Sequence, residues 1–344
     1  MATAYLAAEG FAEALQEELR RAAASVTRRH ERLFVCEQAV AAAWAANIWH
    51  DCVELPVDSI GGAAKALRDI QRNWAMYAPL HHRRAALIQE RLPHVSAKPI
   101  VFPMAAPQAP LGSWTLLAPD RLLAAPRCSS PFANGEVAFV EDRTGPPNRA
   151  YLKLWEALVR LGRWPQPGER CLDLGASPGG WTWALARLGA EVIAVDKAPL
   201  DPRVSAMAGV TWRGESAFAL EPESVGPVDW LCSDIVCYPA RLLRLVERWR
   251  ASGLVRNFVC TLKFQGTTDH ESAAAFAAIP DAQVLHLHHN KHELTFLLRS
   301  YPSPSGAWGG VREADGGVMG AATEVHDPSG PAGHLPAPTR REES

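Results

Sequence analysis

Residues 171–185 read CLDLGASPGGWTWAL. A short apolar run ends at Asp173, a turn carrying Gly175, Gly179 and Gly180 follows, and apolar residues then recur at helical spacing. This is the pattern of a strand, a glycine-rich turn and a helix, in which the backbone can approach a bound ligand closely. A phosphate-binding P-loop needs Lys after the last glycine, and Trp181 stands there instead. The dinucleotide fingerprint needs G-x-G-x-x-G, whereas these glycines fall as G-x-x-x-G-G with Pro178 inside the turn. A third ligand, S-adenosylmethionine, would lie across such a turn at the carboxyl edge of a parallel sheet, with Ser177 to Gly180 nearest to it.

The flanking sequence places the turn in a regular pattern. Strands are predicted at 170–174, 191–195, 209–213, 228–233, 256–262, 282–288 and 293–299. Helices are predicted at 151–161, 179–188, 239–251 and 268–278. Strands alternating with helices imply a mostly parallel sheet covered on both faces, a doubly wound α/β fold. The last two strands are separated only by HHNKH, too short for a parallel crossover, so the final strand must be antiparallel. A parallel sheet closed by an antiparallel last strand resembles the Rossmann-like fold of S-adenosylmethionine methyltransferases.

Acidic residues follow successive strands. Asp196 in AVDKAP can accept hydrogen bonds from both ribose hydroxyls of a nucleoside, which suits NAD as well as S-adenosylmethionine. Glu215 in VTWRGES can accept from an adenine amino group, with Ser216 competing for that place. The cofactor-binding set is therefore Asp173, Gly175, Ser177, Pro178, Gly179, Gly180, Trp181, Asp196, Glu215 and Asp234.

The acceptor chemistry is written elsewhere. The N/D-P-P-Y/F turn of base amino-group methylases is absent after 228–233, and no Pro-Cys pair serves cytosine C5 chemistry. Asp234 stands there instead, and Lys263 ends the apolar run FVCTLK. Glu293 opens the antiparallel last strand, and Lys153 begins the helix that leads into the domain. The topology sends all four to one sheet edge. Two lysines among two carboxylates suit deprotonation of an alcohol, with Lys263 as general base once a second cation and desolvation lower its pKa. Lys153 would orient the hydroxyl or depress that pKa, and Asp234 and Glu293 would hold the pair. No metal-ligand spacing is visible. The cluster His286, His288, His289 and His292 owes two of its members to strand alternation.

The order Lys153, Asp234, Lys263, Glu293, with LDLGASPGGWTW, AVDKAP, CSDIVCYPA, TLKFQG and HELTFLLR, resembles the FtsJ-like ribose 2′-O-methyltransferases. The resemblance covers 145–300 well and 1–140 patchily. It implies S-adenosylmethionine as cofactor and RNA as partner, ribosomal RNA or its precursor first and transfer RNA as the alternative. It further implies that 1–140 is a smaller α+β domain, a reduced THUMP-like RNA-binding module. Two readings of other classes stand beside it. One is an RNA-binding ribosome-assembly factor with little catalysis, and the other is an NAD-dependent dehydrogenase.

The composition is compatible with these readings. The net charge is −2, so any RNA-binding surface must be a local patch. The stretch 61–92 reads as a long helix broken at Pro79, carrying Lys65, Arg68, Arg72, Arg83, Arg84 and Arg91. Residues 141–150 are polar and turn-rich and read as the link between domains. Seven scattered cysteines without a C-x-x-C pair point to a reduced compartment. With no signal-like segment and no long apolar run, a cytoplasmic protein without a membrane span is expected. The Pro-, Gly- and Ser-rich tail from 302 to 344 is expected to be disordered.

Overall fold

The amino-terminal part is built on a mixed sheet of β1 (Ala2–Ala7), β2 (Val26–His30), β3 (Leu33–Cys36), β4 (Ala45–Pro56), β5 (Trp74–Met76), β6 (Gly112–Ala118), β7 (Arg121–Ala125) and β8 (Arg127–Cys128). These positions come from a computed structural model, which describes residues 2–299. The strand order is β2–β3–β1–β4–β7–β6–β5, with β8 also on β4. Three helices cover it: α1 (Ala12–Arg21), α2 (Ile60–Ile70) and α3 (His82–Gln89). In α1, Leu15 and Leu19 stand one turn apart and are fully buried, while Glu17 pairs with Arg20 and Arg21 on the outer face.

The stretch 61–92 departs from the expected kinked helix. Helix α2 stops at Ile70, and Trp74–Met76 forms a short strand parallel to β6 before α3 begins. Tertiary pairing overrides local helical propensity here, because Trp74 is fully buried and its indole N–H donates to the Leu67 and Gln71 carbonyls. Strand β4 has no counterpart in the sequence reading. It is twelve residues long and pairs with β1 from Ala45 to Cys52 and with β7 from Val53 to Pro56.

The carboxy-terminal part follows the expected alternation closely. Its elements are α4 (Tyr151–Leu161), β9 (Arg170–Leu174), α5 (Gly180–Arg187), β10 (Glu191–Val195), α6 (Pro202–Ser205), β11 (Val210–Arg213), α7 (Pro222–Val225), β12 (Val228–Ser233), α8 (Pro239–Ala251), β13 (Val255–Lys263), α9 (His270–Ala277), β14 (Ala282–Leu285) and β15 (Glu293–Arg299). The sheet order is β11–β10–β9–β12–β13–β15–β14. Strands β9 to β13 pair in parallel, and β15 is antiparallel to both β13 and β14. Strand order reverses between β9 and β12, which opens the crevice where sheets of this kind hold ligands.

Strand β14 ends earlier than the expected 288. The His286 amide turns away to the Ala43 carbonyl at 2.7 Å, and the next residues form a turn pinned by Glu156. The two sheets fall in one compact unit, and one apolar cluster joins Tyr5, Leu15, Phe34 and Trp44 to Leu172, Phe258 and Phe296. Trp44 is fully buried against Phe264, His286 and His292, with ring centroids 5.4–5.8 Å apart. All seven cysteines are free. Among the described residues no helix is long and apolar enough to cross a membrane. The expectation for 302–344 lies outside the described residues.

Candidate active site

The glycine-rich turn wraps one side of a cavity of about 290 Å³ at the crevice between β9 and β12. Gly175 has φ +80°, and a Cβ there would sit 2.8 Å from the Ile235 backbone. A Cβ on Gly180 would strike the Asn148 side-chain oxygen. Gly179, with φ +115°, precedes the first residue of α5, and a Cβ there would meet Val204 at 2.9 Å. Glycine is required at these positions by close approach and by backbone conformation.

Several expected ligand residues line this cavity: Asp173, Gly175, Ser177, Gly180, Trp181, Asp196 and Asp234. Their roles differ. Asp196 follows β10 and accepts from the Ser177 amide at 3.1 Å and the Ala198 amide at 2.9 Å, which fixes its carboxylate at the rim. Asp173 is buried and accepts from the Thr182 hydroxyl at 2.6 Å. Burial pushes its pKa up to about 7, because that one hydrogen bond does not offset loss of water. Trp181 donates its indole N–H to the Ala150 carbonyl at 2.9 Å, which ties the turn to the start of α4.

Pro178 and Gly179 shape the turn without lining the cavity. Glu215 also lies off it and holds the Arg213 guanidinium at 2.5 Å. Sequence reasoning did not single out Asn148, Ile235 or Val236, which complete the wall. Asn148 had a local signal: it stands three residues before the first residue of α4, and its side-chain oxygen accepts from the Ala150 amide at 3.0 Å.

The four charged residues do meet. Lys153 Nζ lies 2.8 Å from Asp234 Oδ1 and 3.0 Å from Glu293 Oε1. Lys263 Nζ lies 3.2 Å from the same Asp234 oxygen and donates to the Asp234 carbonyl at 2.6 Å. Asp234 and Lys263 line the cavity, and Lys153 and Glu293 stand behind them. All four side chains are at most one-fifth exposed. Burial alone would lower the Lys153 pKa, but Asp234 and Glu293 outweigh it and hold the ammonium above its ordinary value. Lys153 is thus a fixed cation, while Lys263 shares only one carboxylate.

Behind this edge lies a further buried carboxylate, absent from the sequence reading. Glu156 on α4 is fully buried and accepts from the His288 and His289 amides at 2.8 and 3.0 Å and from His289 Nδ1 at 2.7 Å. Burial raises its pKa, yet His289 and Arg160 prevail and keep it below the usual range. Glu156 thereby anchors the turn that delivers Glu293. The clustered histidines have separate partners: His286 Nε2 meets the Lys291 carbonyl, and His292 Nε2 meets the Thr268 hydroxyl. Among the described residues no group of three His, Cys, Asp or Glu side chains is arranged to hold a metal.

Residues 146–267 match the family model of the FtsJ-like methyltransferases, as the resemblance anticipated. The chain is 36% identical over 165 residues to "Ribosomal RNA large subunit methyltransferase M" of Halorhodospira halophila, covering 46% of this chain and 48% of that protein. The protein of the same name from Saccharophagus degradans is 42% identical over 123 residues, covering 34% of this chain and 35% of its own length. That of Methylococcus capsulatus is 34% identical over 167 residues, covering 44% and 47%. The matches span about half or less of the length of these relatives.

Proposed function

We propose, from the FtsJ-like methyltransferase match and the geometry above, that this chain methylates a ribose 2′-hydroxyl of RNA, using S-adenosylmethionine. The relatives' shared name directs the reading to large-subunit (23S) ribosomal RNA. The observation that carries it is the Lys153–Asp234–Lys263–Glu293 cluster beside the glycine-lined cavity.

The residues fit the cofactor. Gly175 and Gly180 line the cavity, and the rim carboxylate of Asp196 keeps lone pairs for ribose hydroxyls. Glu215 or Ser216 would have to turn toward the cavity to reach an adenine. Bound there, S-adenosylmethionine would supply an electrophilic sulfonium methyl group.

The acceptor hydroxyl must lose its proton to become an effective nucleophile. Lys263 reaches the cavity and, in its neutral form, accepts that proton at Nζ. Lys153 stays cationic between its two carboxylates. Asp234 bridges the two lysines, and Glu293 balances the buried charge of Lys153. The amino-terminal part, read as a reduced THUMP-like module in a cytoplasmic enzyme, presents RNA to this edge. The exposed Lys65, Arg68, Arg72, Arg83 and Arg91 around α2 and α3 support that role.

Mapping 2′-O-methylation in ribosomal RNA from cells with and without the gene tests the proposal. Loss of one large-subunit 2′-O-methyl group is the expected result, and an unchanged ribosomal map would remove that target.

A further inference from the structure

The loop after β12 carries a feature that the catalytic cluster does not use. Val236 is 72% exposed and Tyr238 is 66% exposed, more than any other large apolar side chain among the described residues. Cys237 between them is buried at a bend of the chain, and the two side chains that flank it are turned outward. The loop is held in place. Pro239 is the first residue of α8, and the Tyr238 carbonyl accepts from the Arg241 and Leu242 amides at 2.9 and 3.2 Å. Val236 is itself part of the wall of the cavity that Asp234 and Lys263 line.

The surface continues along α8. Arg241 and Arg244 follow Tyr238 at steps of three residues, on one helix face, and both are exposed. Arg241 rests its guanidinium over the Phe218 ring at 3.7 Å, and neither arginine pairs with a carboxylate among the described residues. Glu247 ends the run. An exposed aromatic face beside a reactive edge, continued by guanidinium groups that no carboxylate neutralises, matches a strand with flat bases and a phosphate backbone. A duplex would hide its base faces from Tyr238, whereas an unpaired strand offers them.

We propose that Val236 and Tyr238 form a stacking platform for a base of the single-stranded RNA acceptor, and that Arg241 and Arg244 hold its backbone as it leaves the site. This deepens the proposed function and rests on its assignment of RNA as the acceptor. Tyr238 is a positioning and affinity residue, since it lies outside the proton-transfer cluster.

The test measures binding of a short fluorescent single-stranded RNA to the full chain, and separately measures methyl transfer to ribosomal RNA. Tyr238→Ala should weaken single-strand binding about tenfold, the worth of one stacked base, while Tyr238→Phe binds as the parent does. Arg241→Gln with Arg244→Gln should lower the slope of log affinity on log salt by about 1.4. In methyl transfer, Tyr238→Ala should raise KM with kcat nearly unchanged, and calorimetry should show unaltered S-adenosylmethionine binding. Equal RNA affinity of Tyr238→Ala and the parent overturns the platform, even if methyl transfer is intact. A parent protein that binds RNA through Tyr238 but yields no ribose methylation overturns the proposed function and leaves the platform standing.

Discussion

Lys263 and Glu293 are direct register partners across the antiparallel pair β13–β15. The last residue of β13 therefore faces the first residue of β15, and a lysine and a buried carboxylate reach the same sheet edge. Lys153 spans from α4 to Glu293 and to Asp234, which closes the cluster.

Lys263→Ala should reduce methyl transfer by about 10²–10⁴-fold, the usual contribution of a positioned general base. Binding of S-adenosylmethionine, followed by calorimetry, should survive. Lys263→Arg should not restore activity, because a guanidinium cannot take up a proton at working pH. Normal turnover by Lys263→Ala would exclude this lysine as the base.

Glu293→Gln leaves Lys153 with one carboxylate in a site where both groups are at most about one-tenth exposed. Breaking such a buried pair costs about 3–5 kcal/mol. Denaturant unfolding should show a loss of that order. The double variant with Lys153→Met should be less destabilised than the sum of the single variants, and additivity would argue against coupling.

Gly180→Ala and Gly175→Ala should both impair cofactor binding, but they should differ in rescue. The obstacle to Gly180→Ala is the Asn148 side chain, so Asn148→Ala should recover part of the affinity. The obstacle to Gly175→Ala is the Ile235 backbone together with φ +80°, which no side-chain truncation relieves. Titrating S-adenosylmethionine into the four proteins reads out the difference.

Asp173 should make stability depend on pH. Its folded pKa is raised to about 7 from a reference of 3.8, so the native state keeps a proton that the unfolded chain releases. Its contribution is present in full below about pH 4, declines as pH rises to about 7, and is flat above that. Unfolding midpoints of the parent relative to Asp173→Asn should follow this course. A constant difference across that window would mean that Asp173 is ionised in the folded protein.

Trp44→Ala should lower the stability of the whole compact unit by about 3–5 kcal/mol, as for other buried aromatic residues. Trp44 belongs to the amino-terminal part, yet it packs on Phe264 and His292, the neighbours of Lys263 and Glu293. A drop in kcat alongside the lower melting point would show that the amino-terminal part also supports the catalytic edge.

The sequence was most legible where local pattern and global fold agree. From 151 to 299 the strands and the four longer helices have their own apolar period and a turn at their ends, so they could be read one at a time, whereas the four-residue helices α6 and α7 have no counterpart in the sequence reading. The amino-terminal part was harder, because its pairing is long-range. Trp74–Met76 looks helical until β6, nearly forty residues later, supplies a partner, and β4 changes partners after Cys52.

The sequence by itself determined the strand–turn–helix at CLDLGASPGGWTWAL, the antiparallel last strand, and so the convergence of Lys153, Asp234, Lys263 and Glu293. These follow from residue spacing and from chain connectivity, which local physics constrains strongly. Only the tertiary structure decided that Lys153 is the doubly paired cation, that Glu215 turns to Arg213, and that Glu156 anchors the turn before Glu293. Those outcomes depend on which charges share a buried volume. Desolvation and Coulomb attraction act through space, between residues that can be more than a hundred positions apart in the chain.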